Sequence, residues 1–320
     1  MNVSVVIPNW NGEKYLANCI DSLLSQTLKS EIVIVENNST DNSKEILNKY
    51  SQITVLEQQK NLGVAGGFTA GFSYVLENNC DYAVLFNNDA VADKNWLKNL
   101  VETAESNKEI GIVTCKFLRI DKKHIDSTGD FYTKYGLPYS RGRNEVDNNQ
   151  YDDKTEIFAG SGGASLYRSS MLRQIGLFDN DFFAYYEDVD ISFRAQLAGW
   201  KVKYQPNAVA YHIVSATTSR LSNFASYHTG KNIPLLYLKN VPGWLFFKYL
   251  PFATYWYFRM FAARVIRGGF WAFARGFMMS IYFMPKKLIE RYKIQSTKKV
   301  SSKYIDSVIC HSRPPKPPKL

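Results

Sequence analysis

Short apolar runs alternate with longer mixed stretches through the first third of the chain. Val3-Ser4-Val5-Val6-Ile7 is closed by Pro8. Ile32-Val33-Ile34-Val35, Ile53-Thr54-Val55-Leu56, Tyr82-Ala83-Val84-Leu85-Phe86 and Ile110-Gly111-Ile112-Val113 follow in turn. Apolar runs of this length, bounded by turn formers, are the pattern of strands buried on both faces. The segments between them predict helices near residues 13–27, 41–50, 65–78 and 94–107, with Asp41 as an N-cap for the second. Strands alternating with helices make a doubly wound, mostly parallel α/β sheet. Residues 1–115 therefore read as a nucleotide-binding half.

The pattern then changes twice. Residues 120–157 are polar and rich in turn formers, which predicts a loop or short-hairpin insertion. Apolar character returns at Ile157-Phe158-Ala159 and Ala164-Ser165-Leu166-Tyr167. A helix is predicted over 189–198 and a strand at Val202-Lys203-Tyr204. From residue 241, aromatics crowd together, as in Trp244-Leu245-Phe246-Phe247 and Tyr255-Trp256-Tyr257-Phe258. Lys248, Arg259, Arg264, Arg267 and Arg275 interrupt them. A simple transmembrane span needs about 18 apolar residues with few charges, and none exists here. Aromatics beside spaced Arg and Lys suit a helix lying in a membrane interface, with a helical cap on the core as the alternative. Residues 1–240 thus form one α/β domain (1–115 and 116–240) and 241–300 an amphipathic, membrane-associating helical region. The Pro- and Lys-rich 301–320 reads as a disordered tail.

Composition narrows the class. The 320 residues are 45% apolar and 21% charged, which excludes bulk disorder. Cys19, Cys80, Cys115 and Cys310 form no CxxC pair, and the four histidines form no H-E-x-x-H, so cysteine-zinc and zincin sites are out. Met1-Asn2 is no signal-peptide start, so secretion is not expected and a cytoplasmic home is. Charge is lopsided: residues 239–320 carry 16 basic and 2 acidic residues, while the remainder is slightly acidic. Such a segment suits an anionic membrane surface. Nucleic acid is the poorer partner, because the aromatics are clustered rather than singly interleaved for base stacking.

In open α/β sheets ligands bind beyond the carboxyl ends of strands. Those ends here carry Pro8, Asn9, Asn11 and Gly12, then Glu36, Asn37 and Asn38, then Asn61, Gly63, Gly66 and Gly67, then Asn87, Asn88 and Asp89. Glu36 can accept from a base N–H or be a solvated turn acid. The glycines permit close approach of a phosphate or make a plain turn. Asp89 can ligate a divalent cation on a diphosphate, or cap a turn. Glu187, Asp188 and Asp190 gain from a helix N-terminus, and one of them can act as a general base beside aromatics that limit water. His212 becomes a ligand only if it meets Asp89 in space. Lys231 either pairs with a phosphate or is a surface charge.

The N-terminal run through Gly12, the Val35–Asp41 segment, Asn87-Asn88-Asp89 and Tyr186-Glu187-Asp188-Val189-Asp190 together resemble the inverting family 2 glycosyltransferases, within them the rhamnosyltransferase-like branch of cell-surface polysaccharide assembly. The resemblance spans about residues 1–240. It implies a GT-A fold, a nucleotide-diphospho-sugar donor (dTDP- or UDP-), a divalent cation (Mg²⁺ or Mn²⁺) and one-step inversion. It places Pro8, Asn9, Asn11, Glu36, Asn38, Gly63 and Asn88 around the donor nucleotide. Asn87 stands where the family's D-x-D motif has its first acid, leaving Asp89 as the metal carboxylate, with His212 as a late metal ligand and Val214–Thr217 following it. Asp188 is the implied base, supported by Glu187. Gly162, Gly163 and Asp190 face donor sugar and acceptor, and Lys231 a phosphate. The implied reaction moves L-rhamnose from dTDP-rhamnose to a saccharide or polyprenyl-linked acceptor at the inner face of the cell membrane. The alternatives are a UDP-galactosyl, -glucosyl or -N-acetylhexosaminyl transferase, or a catalytically silent donor-binding homologue.

Overall fold

The computed structural model describes residues 1–213, 223–316 and 318. The first part alternates as expected: β1 (Val3–Asn9), α1 (Leu16–Leu24), β2 (Glu31–Glu36), α2 (Ser43–Leu47), β3 (Thr54–Glu57), α3 (Gly63–Glu77), β4 (Tyr82–Phe86), β5 (Ala90–Ala92), α4 (Trp96–Ser106) and β6 (Ile110–Arg119). α1 stops short of its predicted end because the next residues are captured by the segment before α4. Gln26 Nε2 donates to Asp93 O (2.8 Å), and Thr27 N donates to Lys94 O (3.1 Å). Asp41 sits before α2, where Oδ1 accepts from Ser43 N and Oδ2 from Glu13 N, both at 3.0 Å.

The polar insertion holds three short strands, β7 (Ile125–Ser127), β8 (Asp130–Tyr132) and β9 (Pro138–Ser140). The chain then returns as β10 (Ala164–Arg168), α5 (Ser169–Ile175), a 3₁₀ turn over Asn180–Phe182, α6 (Glu187–Leu197) and β11 (Lys201–His212). The main sheet runs β3-β2-β1-β4-β10-β6-β11-β5, with β7 beside β6. The strands from β3 to β4 are mutually parallel, as is β11 with β6; β10 is antiparallel to β4 and β6, and β5 to β11. β10 reverses direction because the insertion re-enters the sheet from the opposite end. The expected strand at Val202–Tyr204 is one arm of a longer strand. Pro206 lacks an N–H, and the ladder with β6 slips between Gln205 and Val209 before resuming. That extension carries His212 opposite Ala90, next to Asp89.

Both sheet faces are covered. Leu16, Ile20 and Leu23 of α1 with Trp96, Leu97 and Leu100 of α4 close one face. Phe68, Phe72 and Val75 of α3 with Met171 and Ile191 close the other. Each such side chain contributes about 1.5–3 kcal/mol on burial.

The C-terminal helices are α7 (Phe224–Asn240), α8 (Gly243–Arg267), α9 (Phe270–Thr297) and α10 (Ser302–Val308). A third core joins them to the α/β unit through Phe193, Leu235, Leu236, Leu245, Tyr249, Ile305 and Ile309. The expectation of a disordered tail from 301 therefore fails over its first half. Ser301 Oγ caps α10 by accepting from Tyr304 N, Ile305 and Ile309 are buried, and Cys310 N donates to Tyr132 O at 2.8 Å. Two isoleucines spaced to fill a gap outweigh the polar composition around them.

Candidate active site

One cavity of about 700 Å³ opens beyond the carboxyl ends of β1, β2 and β4. Pro8, Trp10, Asn37 and Gly63 line one side, Asn88, Asp89 and His212 the floor, and Gly162, Gly163, Glu187 and Asp188 the far wall.

On the floor, Asp89 Oδ1 and His212 Nε2 lie 3.1 Å apart. The sequence condition on His212 is met. Its Nδ1 is 2.8 Å from Asp126 Oδ2, and its ring stacks on Phe117 at 4.6 Å between centroids. Burial alone would lower the His212 pKa, but the hydrogen bonds to Asp126 and Asp89 outweigh it and raise the value to about 9. Arg143 closes the set at 3.1 Å from Asp126 Oδ1. A histidine fixed through one nitrogen by a carboxylate, with the other facing a second carboxylate, is how a metal-binding imidazole is oriented. Asn87 Nδ2 stands 3.5 Å from the same Nε2, so an amide occupies the place of a first acid.

On the far wall three carboxyl groups gather: Asp188, Glu187 and Asp130. Burial raises the pKa of each. The neighbouring Glu187 charge adds to it at Asp188, the Asp188 charge at Asp130, and the Asp190 charge at Glu187. Asp188 Oδ1 accepts from Val189 N at 2.8 Å. Its Oδ2 lies against Gly162, where an added Cβ would come within 2.6 Å. Any side chain at 162 would therefore displace the Asp188 carboxylate. Asp89, Asp126, Asp130, Glu187 and Asp188 line one space with only Arg143 and His212 as cations among its lining residues, so a bound divalent ion would favour a diphosphate there. The mixed O and N donor pair of Asp89 and His212 fits a divalent ion such as Mn²⁺ or Mg²⁺ completed by phosphate oxygens and water.

The segment that presents Glu187 and Asp188 is under backbone strain. Phe183, Tyr185 and Tyr186 have φ of 63°, 69° and 71°, a region aromatic residues seldom adopt. Gly63, at φ 72°, lets α3 approach Phe183 closely enough for Ala65 N to donate to Phe183 O at 3.0 Å. From below, Asn232 Nδ2 donates to the carbonyls of Phe182 (3.0 Å), Ala184 (2.8 Å) and Tyr185 (2.8 Å).

Several sequence assignments are corrected. Asp190 does not face a sugar: it is fully buried, held by Arg194 Nε and Lys239 Nζ (both 3.0 Å) and Asn240 Nδ2 (2.8 Å). It lies on the opposite side of α6 from the cavity wall. Lys231 does not face a phosphate: it is buried, donating to Asp181 O and Phe182 O, and burial lowers its pKa to about 8. Glu36, Asn9, Asn11 and Asn38 do not line the cavity. Glu36 accepts from Asn9 Nδ2 (2.7 Å) and Ser39 N (2.6 Å), and Asn9 Oδ1 accepts from Asn88 Nδ2 (2.8 Å). Asn11 and Asn38 take positive φ and shape the two loops. Asn37 lines the wall instead. The Val214–Thr217 segment lies outside the described residues.

Sequence reasoning missed Trp10, Asp126, Asp130 and Asn232. Asp126 and Asp130 sit in the polar insertion, and their partners His212 and Asp188 are too distant in sequence for any spacing to reveal them. Among the described residues, Asp179, Asp181 and Glu290 form an acidic trio close enough for an ion. Lys287 Nζ already lies within 2.9 Å of all three, and Lys239 Nζ is 2.6 Å from Asp179. The trio is part of an ion-pair lock between the 3₁₀ turn before α6 and α9, not a metal centre.

Residues 4–176 match the profile described as "Glycosyl transferase family 2". The chain belongs to this family. The chain is 30% identical over 135 residues to "Glycosyltransferase GlyG" of Streptococcus pneumoniae serotype 4 (strain ATCC BAA-334 / TIGR4), covering 41% of this chain and 42% of that one. It is 24% identical over 218 residues to a poly-beta-1,6-N-acetyl-D-glucosamine synthase of Staphylococcus aureus (strain MSSA476), covering 64% and 49%. The chain thus spans about half the length of the curated relatives it matches. Among solved structures it is similar to S. aureus TarS 1-349 in complex with UDP-GlcNAc (TM-score 0.58, 16% identity, covering 93% of this chain and 91% of that one). It is also similar to the mannosyltransferase PcManGT of Pyrobaculum calidifontis in complex with GDP-Man and Mn²⁺ (0.56, 15%, 92% and 87%). These likenesses establish the GT-A type of fold.

Proposed function

We propose that this glycosyltransferase moves one sugar from a nucleotide-diphospho-sugar to a saccharide hydroxyl, with inversion at the anomeric carbon. The observation that carries the reading is the opposition, within one cavity, of the Asp89–His212 pair and the Asp188 carboxylate. Asp89 and His212 would hold a divalent cation, which when bound neutralises the leaving diphosphate. Asp126 fixes His212 so that Nε2 faces Asp89. The Asp188 carboxylate, which lines the cavity and has no side chain at Gly162 to displace it, takes the proton of the acceptor hydroxyl as its oxygen attacks the anomeric carbon and the nucleoside diphosphate leaves. A burial-raised pKa makes it a stronger base than an ordinary carboxylate. Phe183, Tyr185 and Tyr186 limit water beside that carboxylate. With one base and one displacement, no glycosyl-enzyme forms.

For the donor we propose dTDP-L-rhamnose, supported by the motif resemblance and by Val64, Phe68 and Phe183 along the wall, which suit a 6-deoxy sugar's methyl group. A UDP-N-acetylhexosamine is the second reading, favoured by the UDP-GlcNAc held in the TarS complex. The test is nucleoside-diphosphate release from dTDP-, UDP- and GDP-sugars, with Mg²⁺, Mn²⁺ or EDTA and a saccharide acceptor. We expect release from one donor class, lost with EDTA. Release from UDP-GlcNAc alone would replace rhamnose, and binding without release from any donor would favour a silent homologue.

A further inference from the structure

The last two long helices leave an apolar stripe uncovered. On α8 the exposed positions Trp244, Phe247, Pro251, Tyr255, Phe258, Ala262 and Val265 recur at steps of three and four, which is one helix face. On α9, Trp271, Arg275, Met278, Tyr282, Pro285, Ile289 and Tyr292 do the same. The exposures are large: 74% at Phe247, 78% at Trp271, 77% at Tyr292. The opposite face of α9, with Phe273, Gly276, Ser280 and Lys287, is the buried one. Isolated exposed apolar residues need no explanation, but two continuous stripes on joined helices do.

Charge selects the occupant. No Asp or Glu occurs between residues 241 and 289. The two acids beyond, Glu290 and Asp306, are each paired with lysine, Lys287 and Lys248 respectively, at 2.9 Å. Lys248 lies over the Trp244 ring at 4.7 Å and Arg259 over Trp256 at 4.9 Å, so cations flank the aromatic stripe. A second copy would bring the same cations against each other. An anionic lipid surface would meet them with opposite charge and take the aromatic rings at its headgroup level. Among the described residues no helix is long and apolar enough to cross a membrane, so contact would be from one side. The surface also adjoins the active site. Met260 and Phe261 of α8 pack on the same small core of Ile233, Tyr257 and Phe273 as Tyr186, the residue before Glu187.

We infer that the α8 and α9 stripes seat this chain on an anionic bilayer, and that the acceptor it takes is a saccharide on a membrane-embedded anchor. The second clause rests on the transferase reading; the first does not. The test is flotation of the full chain with vesicles of phosphatidylcholine alone and with phosphatidylglycerol added. Two variants accompany it: Phe258→Ser with Trp271→Ser, and Arg259→Glu with Arg275→Glu. The expected result is binding to the anionic vesicles only, weakened by at least about tenfold in each variant. Melting temperature and transfer to a soluble acceptor should stay unchanged, and transfer to a vesicle-borne acceptor should fall. Absence of flotation, equal binding by the charge-reversed variant, or a solution dimer broken by the same substitutions would overturn the surface assignment. Should the serine variant unfold, the charge-reversed variant decides alone. Loss of all transfer with flotation kept would instead count against the transferase reading. Flotation kept, with soluble and vesicle-borne acceptors affected alike by the variants, would overturn the acceptor clause.

Discussion

At the scale of single residues, the site depends on groups that do not touch its contents. Asn232 lies beneath the cavity wall, yet its amide holds three carbonyls of the strained 182–185 backbone. Replacing it with alanine leaves those carbonyls short of donors, at about 1–3 kcal/mol for a buried unmet group. The left-handed conformations of Phe183, Tyr185 and Tyr186 then lose their restraint. For Asn232→Ala we expect a lower melting temperature and a kcat reduced by at least about tenfold, with nucleotide affinity kept; unchanged kcat would remove its positioning role. Asp188, Glu187, Asp89 and Gly162 were legible because their motifs are local and their chemistry is distinctive. Asp126 was not, since its meaning comes only from His212. Asp190 misled for a related reason: beside Asp188 in sequence, it points to the other side of the helix. Residues two apart on a helix do not face each other.

At the scale of elements, the alternation of strands and helices up to residue 115 was readable, apart from the short β5 and from β3, which is half-exposed at the sheet edge rather than buried on both faces. Four-residue apolar runs have few other uses. The direction of β10 was not, because pairing depends on where the 120–157 insertion re-enters the sheet. The tail was misread for want of weight on two isoleucines. Truncation after residue 300 removes Ile305 and Ile309 from the third core, each worth about 1.5–3 kcal/mol. The expected outcome is a melting temperature lower by at least about 5 °C, measured by circular dichroism. A truncated chain that melts with the full-length protein would show α10 to be dispensable.

At the scale of the whole molecule, the α/β unit builds the cavity, while α7 and α9 brace the segment that delivers the base. The ion-pair lock of Asp179, Asp190, Lys239 and Lys287 ties these parts together. The crowded far wall makes both rate and stability depend on pH. Asp188 is held above its ordinary value, at about 7, first by burial and then by Glu187. The folded chain therefore binds that proton more tightly than the unfolded chain. Stability falls as pH rises from the ordinary carboxyl range to about 7, while the deprotonated base, and with it the rate, increases over the same span. The most direct test of the account is Asp188→Asn, followed by single-turnover transfer and by nucleotide titration across that pH range. The account predicts a transfer rate lower by about 10²–10⁴-fold, nucleotide affinity close to the parent protein, and a melting temperature at pH 8 no lower than the parent's. Turnover retained at more than a few per cent, with its pH dependence unchanged, would contradict it and pass the role of base to Glu187 or Asp130.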